Sequence, residues 1–304
     1  MDPLPAILLR LSLILLFYWD ATADEMYTRV EDVIYGRKYG TNLTLDMFVP
    51  RQLNGAAVVY ACSGAWFSTR DFIDLNLFDE YLKRGYMVFT VVHDSQPKFT
   101  IPEIIDDMHR AVRFIRSRAP QYHIDPNRIG IAGASAGGHL SLMSGTVGTM
   151  GDPMAADPVE RESSRVQAAA CFFPPTDFLN YGKPGEVDLG TGNLKPFRAP
   201  FDFHELDKTT NAFVPINVEK RILAIGNCIS PIFHVSEESP PTLIVDGERD
   251  VLVPIQQAES MIVKLKEAGV PCELVRRQEG HGWAGFGKET PILADWFDKY
   301  LLLK

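Results

Sequence analysis

Gly133-Ala134-Ser135-Ala136-Gly137 sets a serine among small residues in the pattern G-x-S-x-G. That is the layout of a strained strand-to-helix turn that lifts a hydroxyl clear of a sheet. The flanking residues fit such a turn, because IGIAG before it reads as a buried strand and HLSLMSG after it as the start of a helix. The bland alternative is a glycine-rich helix start that only packs tightly. A dinucleotide or P-loop reading fails for want of the right glycine spacing and a lysine. A serine hydroxyl is a poor nucleophile until a base takes its proton, so the position has chemistry only if a histidine and an orienting carboxylate can reach it.

His281 meets the first requirement. It sits in Glu279-Gly280-His281-Gly282-Trp283, a loop after a predicted strand, with glycines on both sides that free the backbone to aim the ring. His109 and His139 fall on predicted helices, where packing or surface roles are the plainer reading. His93 follows a strand but precedes Ser135, outside the order serine, acid, histidine. His123, His204 and His234 carry no spacing signal, and no pair of histidines suggests zinc. For the acid, Thr242–Asp246 reads as a strand leading into Gly247-Glu248-Arg249-Asp250-Val251. Loop position favours Asp250, and Asp246 is the rival, nearer the strand end where a carboxylate more often bonds local amides.

A developing oxyanion needs donors, each worth about 3–4 kcal/mol when removed. The amide of Ala136, directly after the serine, is the expected first donor. Others should come from Cys62-Ser63-Gly64-Ala65-Trp66, whose small residues let backbone approach a substrate carbonyl. Trp66, Phe67 and Trp283 flank this machinery, either as pocket lining or as structural aromatics.

These groups are far apart in sequence, so a scaffold must gather them. Met26–Ile34 and Leu43–Val49 alternate like an antiparallel pair at a sheet edge. Ala56–Ala61 and Met87–Val92 are continuous apolar runs of the kind buried on both faces. Phe72–Arg84 has helical spacing, and Pro102 opens a helix that places Ile105, Met108, Val112 and Ile115 on one face. Strand Arg128–Ala132, a helix to Val147, strand Val166–Phe172, strand Thr242–Val245, helix Gln256–Ala268 and strand Cys272–Arg277 follow. A last helix carries Leu293, Trp296, Phe297 and Leu301 on one face. The alternation predicts an α/β fold, a mainly parallel sheet with helices on both faces. Between them, residues 177–239 lose clear periodicity and gather Gly, Pro and aromatics, which reads as a small cap-like insertion over a site.

The 304 residues, 46% hydrophobic and 23% charged, carry no internal repeat or linker. They predict one catalytic domain over residues 24–304. Ahead of it, the apolar run Leu11–Trp19, with Arg10 before and Ala21-Thr22-Ala23 after, reads as a signal peptide over residues 1–23. The run is shorter than the roughly 18–20 residues that span a bilayer. A secreted or periplasmic protein with no membrane span after signal removal is the expectation. A net charge of −9 argues against nucleic acid as a partner. The 4 cysteines, Cys62, Cys171, Cys228 and Cys272, are too scattered to staple the chain and lack metal-ligand spacing, leaving one disulfide open.

The segments VVYACSGAW, IPEIIDDMHRAVRFIR, GASAGGHLSLM, FFPPTDFLNY, PTLIVDGERDVLVP and EGHGW resemble the esterase and lipase branch of the α/β-hydrolases related to hormone-sensitive lipase, especially bacterial feruloyl- and acetylxylan-esterase-like proteins. The resemblance implies Ser135 as nucleophile, Asp250 as acid and His281 as base, with the amides of Gly64, Ala65 and Ala136 as oxyanion hole. It implies a serine carboxylesterase acting on short-acyl, acetyl esters, on small molecules or polysaccharides, through an acyl-enzyme that needs neither metal nor organic cofactor. Two departures stand out: the family's His-Gly-Gly-Gly is Cys62-Ser63-Gly64-Ala65, and the elbow lacks an acidic residue before the serine. The rival functions are a peptidase related to prolyl oligopeptidase, for which the chain is too short to hold the usual gating domain, and a non-catalytic binding protein on the same fold.

Overall fold

A computed structural model describes residues 26–302; the signal sequence predicted over residues 1–23 lies outside them. The chain opens with β1 (Tyr27–Lys38) and β2 (Thr41–Pro50), an antiparallel pair at the sheet edge. β1 runs past the expected end because register shifts between Val30 and Val33 and between Ile34 and Gly36 reset its side-chain alternation. β3 (Ala57–Ala61) follows. The helix expected over Phe72–Arg84 shrinks to α1 (Asp79–Lys83). Before it the chain makes 3-10 turns at Arg70–Phe72 and Leu75–Leu77, the second capped by the Asp74 carboxylate accepting from the Asn76 amide at 3.0 Å. A short acceptor that bonds its own backbone this way competes with a continuous helix.

The alternation then proceeds through β4 (Met87–Val92), α2 (Ile101–Ser117), β5 (Ile129–Ala134), α3 (Ala136–Thr146) and β6 (Ala168–Phe172). Pro102 lies in the first turn of α2, and Glu103 reaches back to accept the Thr100 amide at 2.7 Å, satisfying one orphan donor. Next come the small hairpin β7 (His204–Asp207) and β8 (Ala212–Pro215) and helix α4 (Glu219–Cys228). The chain ends with β9 (Thr242–Gly247), α5 (Gln256–Glu267), β10 (Cys272–Arg277) and α6 (Thr290–Leu301).

The strands build an 8-stranded sheet in the order β1-β2-β4-β3-β5-β6-β9-β10, antiparallel at β1–β2–β4 and parallel from β4 to β10. In β3, Ala57, Val59 and Ala61 face the core under α2 and α3, whereas Val58 and Tyr60 face the core under α1 and α6. Burial on both faces is why this strand is apolar at every position. β3 leads to β4 on one side and β5 leads to β6 on the other, so the chain parts between β3 and β5. In open parallel sheets the crevice beyond the carboxyl ends at such a point is where ligands sit.

Residues 177–239, joining β6 to β9, lack visible periodicity because their regular structure is limited to 3-10 turns at Lys195–Phe197, Ala199–Phe201 and Pro231–His234, the hairpin and one short helix. Buried side chains tie them down. The Asp188 carboxylate accepts the amides of Thr191, Gly192 and Leu194 at 2.9–3.0 Å. Gln257 of α5, fully buried, accepts the Thr176 and Asp177 amides at 2.8 and 2.7 Å and donates to the Asn180 carbonyl at 3.2 Å. Replacing it strands buried donors, each worth about 1–3 kcal/mol. Gln257→Leu is therefore expected to lose about 2–5 kcal/mol in urea unfolding, and a loss below about 0.5 kcal/mol would show that these amides find other partners.

Candidate active site

The parallel strands bring several loops to one edge, and backbone crowding there explains the glycines around Ser135. A Cβ on Gly133 would lie 2.4 Å from the Gly137 carbonyl oxygen, and one on Gly137 would lie 2.4 Å from that of Ala61 at the end of β3. One on Gly138 would sit 2.9 Å from the carbonyl oxygen of Phe172 at the end of β6. Only bare backbone fits where β3, β5 and β6 finish together. Ser135 itself is held at φ 54° and ψ −120°, a conformation that costs a non-glycine residue about 1–3 kcal/mol. Its amide donates to Phe172 O at 3.0 Å and its carbonyl accepts from the His139 amide at 2.9 Å, so strand and helix bonds over-determine the strained residue.

Ser135 Oγ lies 2.8 Å from His281 Nε2, and His281 Nδ1 lies 2.6 Å from Asp250 Oδ2. A carboxylate oxygen only accepts, so Nδ1 carries the ring proton and Nε2 presents its lone pair to the serine hydroxyl. The other Asp250 oxygen accepts the amides of Leu252 and Val253, both at 2.9 Å, which fixes the carboxylate's orientation. The loops that carry acid and histidine are joined through backbone: Glu248 N–H donates to Arg277 O at 2.7 Å and Arg249 N–H to Glu279 O at 2.9 Å. The His281 ring meets Phe173 edge-on, centroids 4.7 Å apart, and Phe173 rests in turn on Trp283 and Phe286.

Asp246, the alternative acid, does not reach His281. One of its oxygens accepts the Gly247 amide at 2.7 Å and the other has no partner among the described residues. Burial, with the nearby Asp250 charge adding to it against the Gly247 amide, pushes its carboxyl up to about 8.

In the loop after β3, Gly64 and Phe67 exchange both backbone hydrogen bonds at 2.9 Å around Ala65 (φ 50°) and Trp66 (φ 55°). Positive φ at both central residues is the type I′ geometry. The Gly64 amide is thereby spent within the turn, which corrects its expected place in an oxyanion hole. The amides of Ala65 and Ala136 donate to no acceptor among the described residues, and both residues border one cavity of about 260 Å³ with Ser135 and His281. Ala136 is also the first residue of α3, where helix N–H groups lack intrahelical partners and the dipole favours negative charge.

Of the aromatics expected at the pocket, Trp66 borders that cavity but is almost wholly buried. Phe67 and Trp283 belong to neither cavity at Ser135, although Trp283 lines the adjoining hollow of about 650 Å³. Phe67 turns outward against Phe72, and Trp283 supports Phe173 while its Nε1 donates to Glu289 at 3.2 Å. Sequence reading missed the rest of the wall: Leu194, Phe197, Leu252 and Val253 on the small cavity, and Asp71, Phe72, Asp74 and Phe173 on a second one of about 430 Å³. Phe173 alone left a trace, as the aromatic directly beyond a strand that ends at the same edge. Cavity size would not have found the site, because one of about 720 Å³ between β1 and α2 has none of Ser135, Asp250 or His281 in its wall. All 4 cysteines are free. Among the described residues no cluster of His, Cys, Asp or Glu is placed to hold a metal ion, and no helix is long and apolar enough to cross a membrane.

The sequence matches the family described as BD-FAE over residues 45–265. It is 28% identical over 246 residues to the probable carboxylic ester hydrolase LipM of Mycobacterium tuberculosis, covering 79% of this chain and 52% of that one. It is 27% identical to the esterase LipQ of the same organism, covering 64% of this chain and 41% of the relative. The chain thus spans about half the length of these curated relatives or less. Among solved structures, a truncated carbohydrate esterase from gut microbiota superposes with a TM-score of 0.72 at 25% identity, over 92% of this chain and 99% of that one.

The Asp246 environment has a consequence for stability. A carboxyl raised in the folded state favours folding most below its unfolded value near 4, and that contribution is lost as pH climbs through about 8. Asp246→Asn keeps the shape without the charge. Its melting temperature is expected to decline less than the parent's between pH 5 and 9, and parallel declines would mean that Asp246 does not titrate in this window.

Proposed function

This chain belongs to the BD-FAE family, and from that premise and the site's geometry we propose that it is a serine carboxylesterase with Ser135 as nucleophile. The observation that carries the proposal is the unbroken line from Ser135 Oγ through the His281 ring to Asp250, 2.8 and 2.6 Å. In this mechanism His281 Nε2 takes the Ser135 proton as Oγ attacks the ester carbonyl, and Asp250 stabilises the imidazolium. The tetrahedral oxyanion is held by the Ala65 and Ala136 amides, which are preorganised and cost no rearrangement as charge develops. His281 returns the proton to the leaving alcohol. Water, activated by the same imidazole, then hydrolyses the acyl-enzyme and restores Ser135.

The two cavities meeting at Ser135 divide the substrate. The cavity of about 260 Å³, bounded by Trp66, Leu194, Phe197, Leu252 and Val253, suits a short apolar acyl group next to the oxyanion donors. The cavity of about 430 Å³ carries Asp71 and Asp74 and shares Asp74, Leu77, Gly282 and Phe286 with a further hollow of about 650 Å³. This longer run, polar and aromatic, suits a hydroxyl-rich alcohol such as a sugar, and the likeness to a carbohydrate esterase supports an acetylated carbohydrate as substrate.

A fluorophosphonate probe is expected to label the protein and Ser135→Ala to lose both label and turnover of nitrophenyl acetate. Asp250→Asn should keep the fold and lose about 10³–10⁴-fold in kcat; labelling that survives Ser135→Ala would end the proposal. Over a series of nitrophenyl esters, kcat/KM is expected to fall as the acyl chain lengthens. Leu194→Ala and Phe197→Ala should move the preferred length upward, and an unchanged profile in both would show that these side chains do not bound the acyl group.

A further inference from the structure

His139 is fully buried in α3, one helical turn beyond Ser135, and the proton-transfer line does not use it. Its Nδ1 lies 3.1 Å from the Trp66 indole Nε1 and its Nε2 lies 2.7 Å from the Ile229 carbonyl oxygen. An indole N–H only donates and a carbonyl only accepts, so the ring is neutral with its proton on Nε2. Burial agrees, lowering the ring's basicity to about 4. The Trp66 ring meets His139, Phe178 and Phe201 at centroid distances of 5.5, 5.8 and 5.2 Å, and His139 provides its one polar anchor among the described residues.

Trp66 follows Ala65 in the turn that holds both at positive φ, a backbone that side chains resist unless their surroundings enforce it. The Gly64–Phe67 bonds close the neck of the turn and engage neither the Ala65 nor the Trp66 amide. The indole, bonded at its far end to His139, adds a tether to the tip. The residue that fixes it belongs to the helix whose first residue is Ala136. We propose that His139 is a positioning residue that, by accepting the Trp66 indole proton while donating to Ile229, holds the Ala65 amide in register with the Ala136 amide across the oxyanion hole. This rests on the esterase reading above. The His139 ring lines neither cavity at Ser135 and acts through Trp66.

The test uses Trp66→Phe, which keeps an aromatic ring and deletes the donor, together with His139→Phe and His139→Gln, the last able to accept and donate at once. Each is compared with the parent in nitrophenyl acetate turnover and in affinity for a trifluoromethyl ketone, which forms the tetrahedral adduct. Melting temperature reports folding. Trp66→Phe and His139→Phe are expected to lower kcat about 10–100-fold, less than outright removal of a donor, with KM within about 3-fold. Ketone affinity should weaken in proportion to kcat/KM. His139→Gln should recover most of the rate, and the double variant should be no slower than the slower single one, because both changes cut the same bond. Should His139→Phe not fold, Trp66→Phe decides alone. A folded Trp66→Phe with kcat within about 3-fold of the parent, or a loss confined to KM, overturns the proposal. A parent that neither labels with fluorophosphonate nor turns over the ester overturns the esterase reading and this inference with it. A labelled, active parent with an unaffected Trp66→Phe overturns this inference only.

Discussion

The carboxyl ends of β3, β5 and β6 approach so closely that no side chain can stand between them, and the placement of Ser135 follows from that crowding. A Cβ at Gly133 or Gly137 would fall 2.4 Å from a carbonyl oxygen, so α3 can begin directly over the strand ends only with bare backbone there. The sharp reversal from β5 into α3 forces Ser135 to positive φ, and the strain is held by strand bonding on one side and helix bonding on the other. The same proximity puts the start of α3 beside the turn after β3, so two sets of unpaired amides face one small volume.

The remaining parts depend on this junction in different ways. Asp250 is satisfied by backbone amides and by His281, whereas Asp246, four residues earlier, keeps a buried oxygen without a partner among the described residues. The two carboxylates have different partners because one stands at the end of β9 and the other on the loop beyond it. The segment between β6 and β9 contributes Leu194 and Phe197 to the small cavity and is pinned by Asp188 and Gln257. Near the cavity, buried polar side chains hold this segment where regular secondary structure is sparse.

How much of this was legible in the sequence follows from how local each determinant is. Continuous apolar runs such as MVFTVV disclose buried parallel strands because both faces need the same residue type, and G-x-S-x-G discloses a turn because its steric demand falls on adjacent positions. His281 could be found because glycines flank it and the chain order is restrictive. Other features were hidden. The bulges in β1 break its alternation, and the Asp74 carboxylate interrupts a helical pattern in 72–84 by bonding its own backbone. The commitment of the Gly64 amide depends on a turn closed by Phe67, and the displacement of Phe67 from the cavities at Ser135 depends on which way that turn rotates. Leu194 and Phe197 come from a stretch with no periodicity, so only the folded chain shows that they border Ser135.

The backbone bonds that run from Glu248 and Arg249 to Arg277 and Glu279 tie the Asp250 loop directly to the His281 loop. Carboxylate and ring therefore share one scaffold, and the contact that fixes the tautomer is built independently of the strand-to-helix turn that carries the serine.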